Sequence, residues 1–166
     1  QKMLSTANAF DFGDVRYYTA EIFKNNNDLL TKYQQKYNHI LIDEYQDTNK
    51  SQYVLTKLLA KKHQSLTVVG DAAQAIYSWR GADYRNLSSL EKDFPQTKVI
   101  NLERNYRSTQ TILDAANQVI AQNELHPVLK LYTKEKTGQK ITVYEAKNES
   151  READFIVDEI EKLVNE

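Results

Sequence analysis

The chain has 166 residues, 22 Lys and Arg against 23 Asp and Glu, and a formal net charge of −1, so bulk charge speaks against a dedicated non-specific nucleic-acid binder, which is usually strongly basic. Its 40% hydrophobic content is enough for a real core and argues against wholesale disorder. The absence of cysteine excludes a disulfide framework and a cysteine zinc site and fits a reducing cytoplasm, and no apolar run approaches the roughly 20 residues that span a bilayer.

The chain opens on Gln1, its single methionine is Met3, and no signal peptide is visible. Both ends read as boundaries of a piece and not of a gene. With only 4 Gly and 2 Pro, the chain is expected to be mostly regular structure with short connections. The first stretch reads helical: Val15, Tyr18 and Ile22 share one face, and Leu30, Tyr33 and Tyr37 share another, with a turn at 25–28 between them. The apolar run 39–42 then suits a parallel strand covered on both faces. Asn49 caps the next helix, with Gln52 completing a capping box, and Val54, Leu55, Leu58 and Leu59 form its apolar face.

A second strand is expected at 66–69, followed by a helix marked by Tyr84, Leu87, Leu90 and Phe94 that Pro95 closes. A third strand is expected at 98–102. Ser108 then caps a helix carrying Ile112, Leu113, Ala116, Val119 and Ile120. The pattern weakens over 124–139, which reads as a linker or irregular crossover. A fourth strand is expected at 141–144, and Ala153, Ile156, Val157, Ile160, Leu163 and Val164 define a last helix capped by Asn148 or Ser150. Strands alternating with helices of this size imply an α/β fold with a parallel sheet.

Ligands of open parallel sheets sit beyond the carboxyl ends of the strands. The first strand delivers Asp43 and Glu44 there, within LIDEYQDTNKSQY. One carboxylate can hold a magnesium ion, largely through water, while its neighbour orients or deprotonates an attacking water. The plain alternative is a solvated strand-end acid pair. The second strand delivers VVGDAAQAIYSWRGAD, whose Tyr77 and Trp79 either stack on bases or cap the sheet as core aromatics. The third delivers NLERNYRSTQTIL, where Arg107 suits phosphate recognition or pairs with Glu103.

Taken together, DEYQDTN, GDAAQAIYSWRGAD and NLERNYRST resemble motifs II, III and IV of the UvrD/Rep/PcrA-type superfamily 1 DNA helicases, in the right order and at plausible spacing. A weaker resemblance lies at Phe10–Asp14, where the family has an Asp-Phe-Asp-Asp segment. Its expected role is structural, with Phe10 and Phe12 packing while the acids cap the next helix. The resemblance runs from about 10 to about 123 and continues faintly to the end.

It implies an incomplete RecA-like (P-loop NTPase) parallel sheet flanked by helices, with residues 1–100 as the C-terminal part of a first lobe and 101–166 as the start of a second. It implies ATP and Mg2+ as cofactors and single-stranded DNA and duplex junctions as partners, together with the remainder of a helicase chain. Residue by residue, it implies that Asp43 holds the metal and that Glu44 is the general base. Gln74 senses the γ-phosphate, Tyr106 stacks on adenine and Arg107 acts as an arginine finger. Tyr77, Trp79 and Arg80 lie along the DNA strand. On this view ATP closes a cleft between two lobes and hydrolysis becomes stepping along the strand.

The sequence also departs from the family. No Gly-x-x-x-x-Gly-Lys-Ser/Thr string occurs in these residues, so the loop whose amides cradle the phosphates is missing from them. In the family fold that loop's strand lies between those matching 66–69 and 98–102, so its loss leaves a gap or forces the two together. Ala72 and Ala73 stand where the family often has acids or Pro-Asp, removing charge beside Asp71, and Ala75 replaces a frequent serine. Two other readings stay open: a non-catalytic DNA- or protein-binding module derived from a helicase, and part of a helicase-nuclease.

Overall fold

The computed structural model describes residues 2–124, 127–135 and 137–165. Three residues of the irregular stretch, 125, 126 and 136, lie outside that description. The described chain divides into two compact units, the first running to Ile100 with residues 127–128, the second made of 101–124 and residues 129 onward.

In the first unit, a short helix α1 (Lys2–Thr6) precedes α2 (Phe12–Asn25), α3 (Asn27–Lys36), β1 (Ile40–Ile42), α4 (Lys50–Ala60), β2 (Leu66–Val68) and α5 (Arg85–Asp93). Single 3-10 turns occupy 45–47, 72–74 and 78–80. Local chemistry sets the boundaries. Asp11 and Asp14 form a reciprocal capping box at the start of α2, and Asn26 ends α2 while its side chain caps α3. Asn49 and Gln52 form the expected box at the start of α4.

β1 and β2 pair in parallel, Ile40 with Leu66 and Ile42 with Val68. The ladder continues one step, with Val69 N donating to Ile42 O and Tyr45 N donating to Val69 O. Ile42, Leu66 and Val68 face the core built on Tyr45, Tyr53 and Leu90, together with Val54, Leu87 and Phe94. Tyr45 is fully buried. A cross-link ties α4 to α5: the Tyr53 hydroxyl donates to Asp93, and Lys57 Nζ donates to the other carboxylate oxygen at 2.6 Å. Gln34 of α3 donates to the Leu58 carbonyl of α4 at 2.6 Å.

Several sequence expectations change here. The β1 strand is covered on one face only. Leu41 is 76% exposed and, with Ile42, Asp43, Thr67 and Val69, lines an open groove of about 230 Å3, because α4 and α5 occupy the other side. The buried residues of α2 are Asp14, Ala20 and Phe23, whereas Val15, Tyr18 and Ile22 stay exposed, so the apolar face read from spacing is not the packed one. Phe12 is 87% exposed and Phe10 meets only the edge of Tyr18, so the expected packing of this pair is wrong and only its acids act as foreseen. In α4 the buried positions are Tyr53, Thr56 and Ala60, one step round from the expected stripe.

Residues 98–102 form no strand. A strand needs a partner for its backbone groups, and β2 is paired only with β1 among the described residues, so Val99, Ile100 and Leu102 remain exposed. The two candidate strands are therefore not forced together.

The second unit holds α6 (Gln110–Ile120) and α7 (Glu149–Asn165). Thr109, not Ser108, occupies the cap position of α6, and Ser108 N instead donates to Asn105 Oδ1. Asn117 grips Leu131 through both its N–H and its carbonyl, and Tyr132 pairs with Arg104 in a single parallel bridge. Residues 141–144 form no strand, for the same lack of a partner, and Tyr144 instead stacks on Phe155 at 4.0 Å. Asn148 caps α7, whose Ile156, Val157, Ile160, Leu163 and Val164 are exposed while Phe155 is partly covered.

Candidate functional site

The carboxyl ends of β1 and β2 carry the acid pair and the loop that follows Gly70. Asp43 and Glu44 are both exposed, and Asp43 Oδ1 accepts the Glu44 N–H at 2.9 Å. Glu44 adopts the left-handed region at φ 50°, ψ 47°, which costs a residue with a Cβ about 1 kcal/mol. The turn at 45–47 then buries Tyr45 and Gln46 directly beneath the acids.

Gln46 joins the two strand ends. Its Nε2 donates to Glu44 Oε2 at 2.6 Å, and its Oε1 accepts the Asp71 N–H at 3.0 Å. The approach is close enough to require glycine at position 70: a Cβ there would lie 2.9 Å from Gln46 Oε1 and 3.3 Å from Tyr45 N. Asp71 in turn caps the 72–74 turn through Ala73 N and accepts from Gln74 Nε2 at 3.0 Å. Gln74 and Glu44 are thus both anchored to the same short stretch of backbone. Ala72 and Ala73 occupy this turn without disturbing it.

The loop then presents Tyr77, Trp79 and Arg80 as one cluster. Trp79 is 72% exposed, which overturns the core-aromatic reading for that residue, and Tyr77 is 37% exposed. The rings lie 6.3 Å apart, and the Arg80 guanidinium sits over both, 4.5 Å from Trp79 and 5.4 Å from Tyr77. Gly81 closes the 78–80 turn at φ 82°. The loop is bound back to the acid-bearing segment. Asp83 N and Asn86 Nδ2 both donate to the Thr48 carbonyl, and Asn49 bridges Ala82.

In the second unit, Tyr106 is 74% exposed with the Arg104 guanidinium 4.5 Å from its ring. Arg107 is exposed, its N–H held by Asn105 Oδ1 at 2.9 Å. It forms no ion pair with Glu103 among the described residues, so the pairing alternative does not occur.

Among the described residues no three carboxylate or imidazole groups cluster as a metal cage. Two adjacent exposed carboxylates are nevertheless what Mg2+ needs when phosphates and water complete its shell. Asp43 would hold such an ion and Glu44 would stand beside it. Sequence reasoning missed Gln46, Thr48, Asn86 and Arg104. The first three are polar residues that become buried linkers only when distant segments meet. Arg104 could have been suspected from its i,i+2 spacing to Tyr106.

The UvrD/REP helicase N-terminal domain matches residues 1–95, and the UvrD-like helicase C-terminal domain matches residues 100–166. The chain belongs to the UvrD/REP helicase family. It is 50% identical over 162 residues to the ATP-dependent DNA helicase PcrA of Staphylococcus aureus strain Mu50, covering 98% of this chain and 22% of that protein. The Staphylococcus epidermidis RP62A protein of the same name is 49% identical over the same shares. The chain therefore spans about a fifth of the length of these UvrD/REP relatives. No helix among the described residues is long and apolar enough to cross a membrane.

Proposed function

We propose that this chain is part of an ATP-dependent DNA helicase, a motor that couples ATP hydrolysis to translocation on single-stranded DNA and unwinding of the duplex, in repair or replication in the cytoplasm. Its two units then correspond to the end of a first RecA-like lobe and the start of a second. The isolated chain, without a phosphate-cradling loop in its sequence, is inactive. The observation that carries this reading is the solvent-facing Tyr77–Trp79–Arg80 cluster on the same loop in which Gln74 is held by Asp71, whose N–H is tied through Gln46 to Glu44. An exposed indole with a guanidinium on its face grips a base without reading sequence, because every base has a π-face.

On this reading ATP would be the substrate, its γ-phosphoryl group passing to water with ADP as the leaving group, and a Mg2+ ion held here would supply charge neutralisation on the phosphates. Asp43 would hold the metal, and Glu44 would orient the attacking water and take its proton. Gln74, able to donate and accept at once, senses the γ-phosphate. Tyr106 offers a face to adenine, and Arg107 supplies an always-charged planar donor to the γ-phosphate. The PcrA relatives, named as ATP-dependent DNA helicases, support the activity. Duplex junctions and the remaining helicase chain are the expected partners.

The test is Glu44→Gln in the longer polypeptide. ATP turnover is expected to vanish while nucleotide binding persists, and retained turnover would remove Glu44 from its role.

A further inference from the structure

We propose that Gln46 is a positioning residue that ties the Glu44 carboxylate to the backbone of the DNA-facing loop at Asp71. The inference rests on Glu44 acting as the base. Gln46 is 1% exposed and touches neither nucleotide nor DNA in the reading above, so its action is through others. One end of its amide donates to Glu44 Oε2 at 2.6 Å, and the other accepts the Asp71 N–H at 3.0 Å. A primary amide suits this span because it alone among side chains of that length donates at one terminus and accepts at the other.

The surroundings leave the amide no slack. Gly70 passes so close that an added Cβ would meet Gln46 Oε1 at 2.9 Å, and Tyr45 N and Leu87 Cδ2 crowd the same point at 3.3 Å. A displacement at Asp71 must therefore either break the Asp71–Gln46 bond or carry the amide, and with it the Glu44 carboxylate. Asp71 is also where Gln74 is anchored and where the segment bearing Tyr77, Trp79 and Arg80 begins. Glu44 is receptive to such a pull, since its backbone sits in the left-handed region and its carboxylate is otherwise exposed. Gln46 thus supplies a direct mechanical link from the loop that grips DNA to the acid that activates water.

The experiment compares Gln46→Met and Gln46→Glu with the unaltered longer polypeptide. It measures kcat and KM for ATP with and without single-stranded DNA, together with the thermal unfolding midpoint. Methionine keeps the volume and removes both hydrogen bonds, so a residue that merely fills space would tolerate it. Glutamate sets a second carboxylate against Glu44.

Both variants are expected to lose about tenfold or more in DNA-stimulated kcat with KM for ATP little changed. In Gln46→Met the ratio of stimulated to basal turnover falls toward one. A Gln46→Met protein that keeps both within about twofold overturns the proposal, as does a loss shared equally by basal and stimulated turnover or appearing chiefly in KM.

If Gln46→Met loses its unfolding transition, amide hydrogen exchange decides instead. In Glu44→Ala the freed amide loosens, and the Asp71 N–H exchanges at least about tenfold faster. Unchanged exchange overturns the link. Retained turnover in Glu44→Gln would sink the base assignment itself, a separate result, and the exchange measurement then reports on the link alone.

Discussion

At the scale of single residues, the decisive observation is how much of Trp79 faces solvent. Truncating a stacking aromatic costs roughly 1–3 kcal/mol per base, or about one to two orders of magnitude in affinity. Trp79→Ala is therefore expected to weaken single-stranded DNA binding by about that factor in a titration and to lower DNA-stimulated turnover more than basal turnover. Equal loss of both would indicate a folding defect. Gly70 makes a second prediction. Its replacement by alanine forces a methyl group against Gln46, Tyr45 and Leu87, and overpacking of this kind costs about 1–3 kcal/mol. A denaturant titration of Gly70→Ala should show that loss. A midpoint equal to the unaltered chain would mean the strand ends are more pliant than their spacing implies. Gly138 needs glycine for two reasons, a φ of 84° and a Cβ that would lie 2.6 Å from Thr109 Cβ.

At the scale of elements, the α4–α5 cross-link gives a pH dependence whose sign follows from its chemistry. Burial opposes the charge on Asp93, but hydrogen bonds from Lys57 and Tyr53 outweigh it and hold the carboxyl below its ordinary 3.8. That contribution is present above pH 3.8 and is lost as pH falls through the lower folded value. Burial, then the hydrogen bond and charge of Asp93, push the Tyr53 phenol up from 10.0 to about 12. Its contribution is complete below pH 10.0 and is lost as pH rises toward about 12. Thermal midpoints measured across pH should fall on both limbs. Asp93→Asn should flatten the acid limb while the burial part of the alkaline limb survives, and an unchanged acid limb would show that other carboxylates govern it.

The elements themselves were unevenly legible. Capping residues such as Asn49 and Gln52 act within one helical turn, so their spacing in sequence is their spacing in space. The stripe expected for α2 is not the packed one, because Val15, Tyr18, Ile22 and Phe23 spread its apolar side chains over more than one face and the neighbouring helices cover only the side of Ala20 and Phe23.

At the scale of the whole molecule, the two-stranded sheet is open on one face and, among the described residues, has no further strand at either edge, with Leu41 and the 98–102 segment exposed. Exposed strand edges and apolar faces favour association. Sedimentation of the 166-residue chain is therefore expected to show concentration-dependent self-association, and a strictly monomeric chain at high concentration would contradict this. Phosphate release by the same chain with Mg-ATP, with or without single-stranded DNA, is expected to be absent, since nothing in its sequence matches the phosphate-cradling loop. Clear turnover abolished by Glu44→Gln would mean that other backbone amides hold the phosphates.

The family is legible in the linear order of residues alone, through three specific motif strings, and so are caps such as Asn49 with Gln52 and the positions of β1 and β2. The same order names the acid pair and the aromatic cluster as candidates. Which aromatics face solvent and which face of each helix is packed emerge from the folded chain alone. So does the joining of the two strand-end loops by Gln46, Thr48 and Asn86. The reason is physical: the bonds that join the loops run to partners 25 or more residues away, Asp71 for Gln46 and Thr48 for Asn86, and no local pattern encodes which distant segment will arrive.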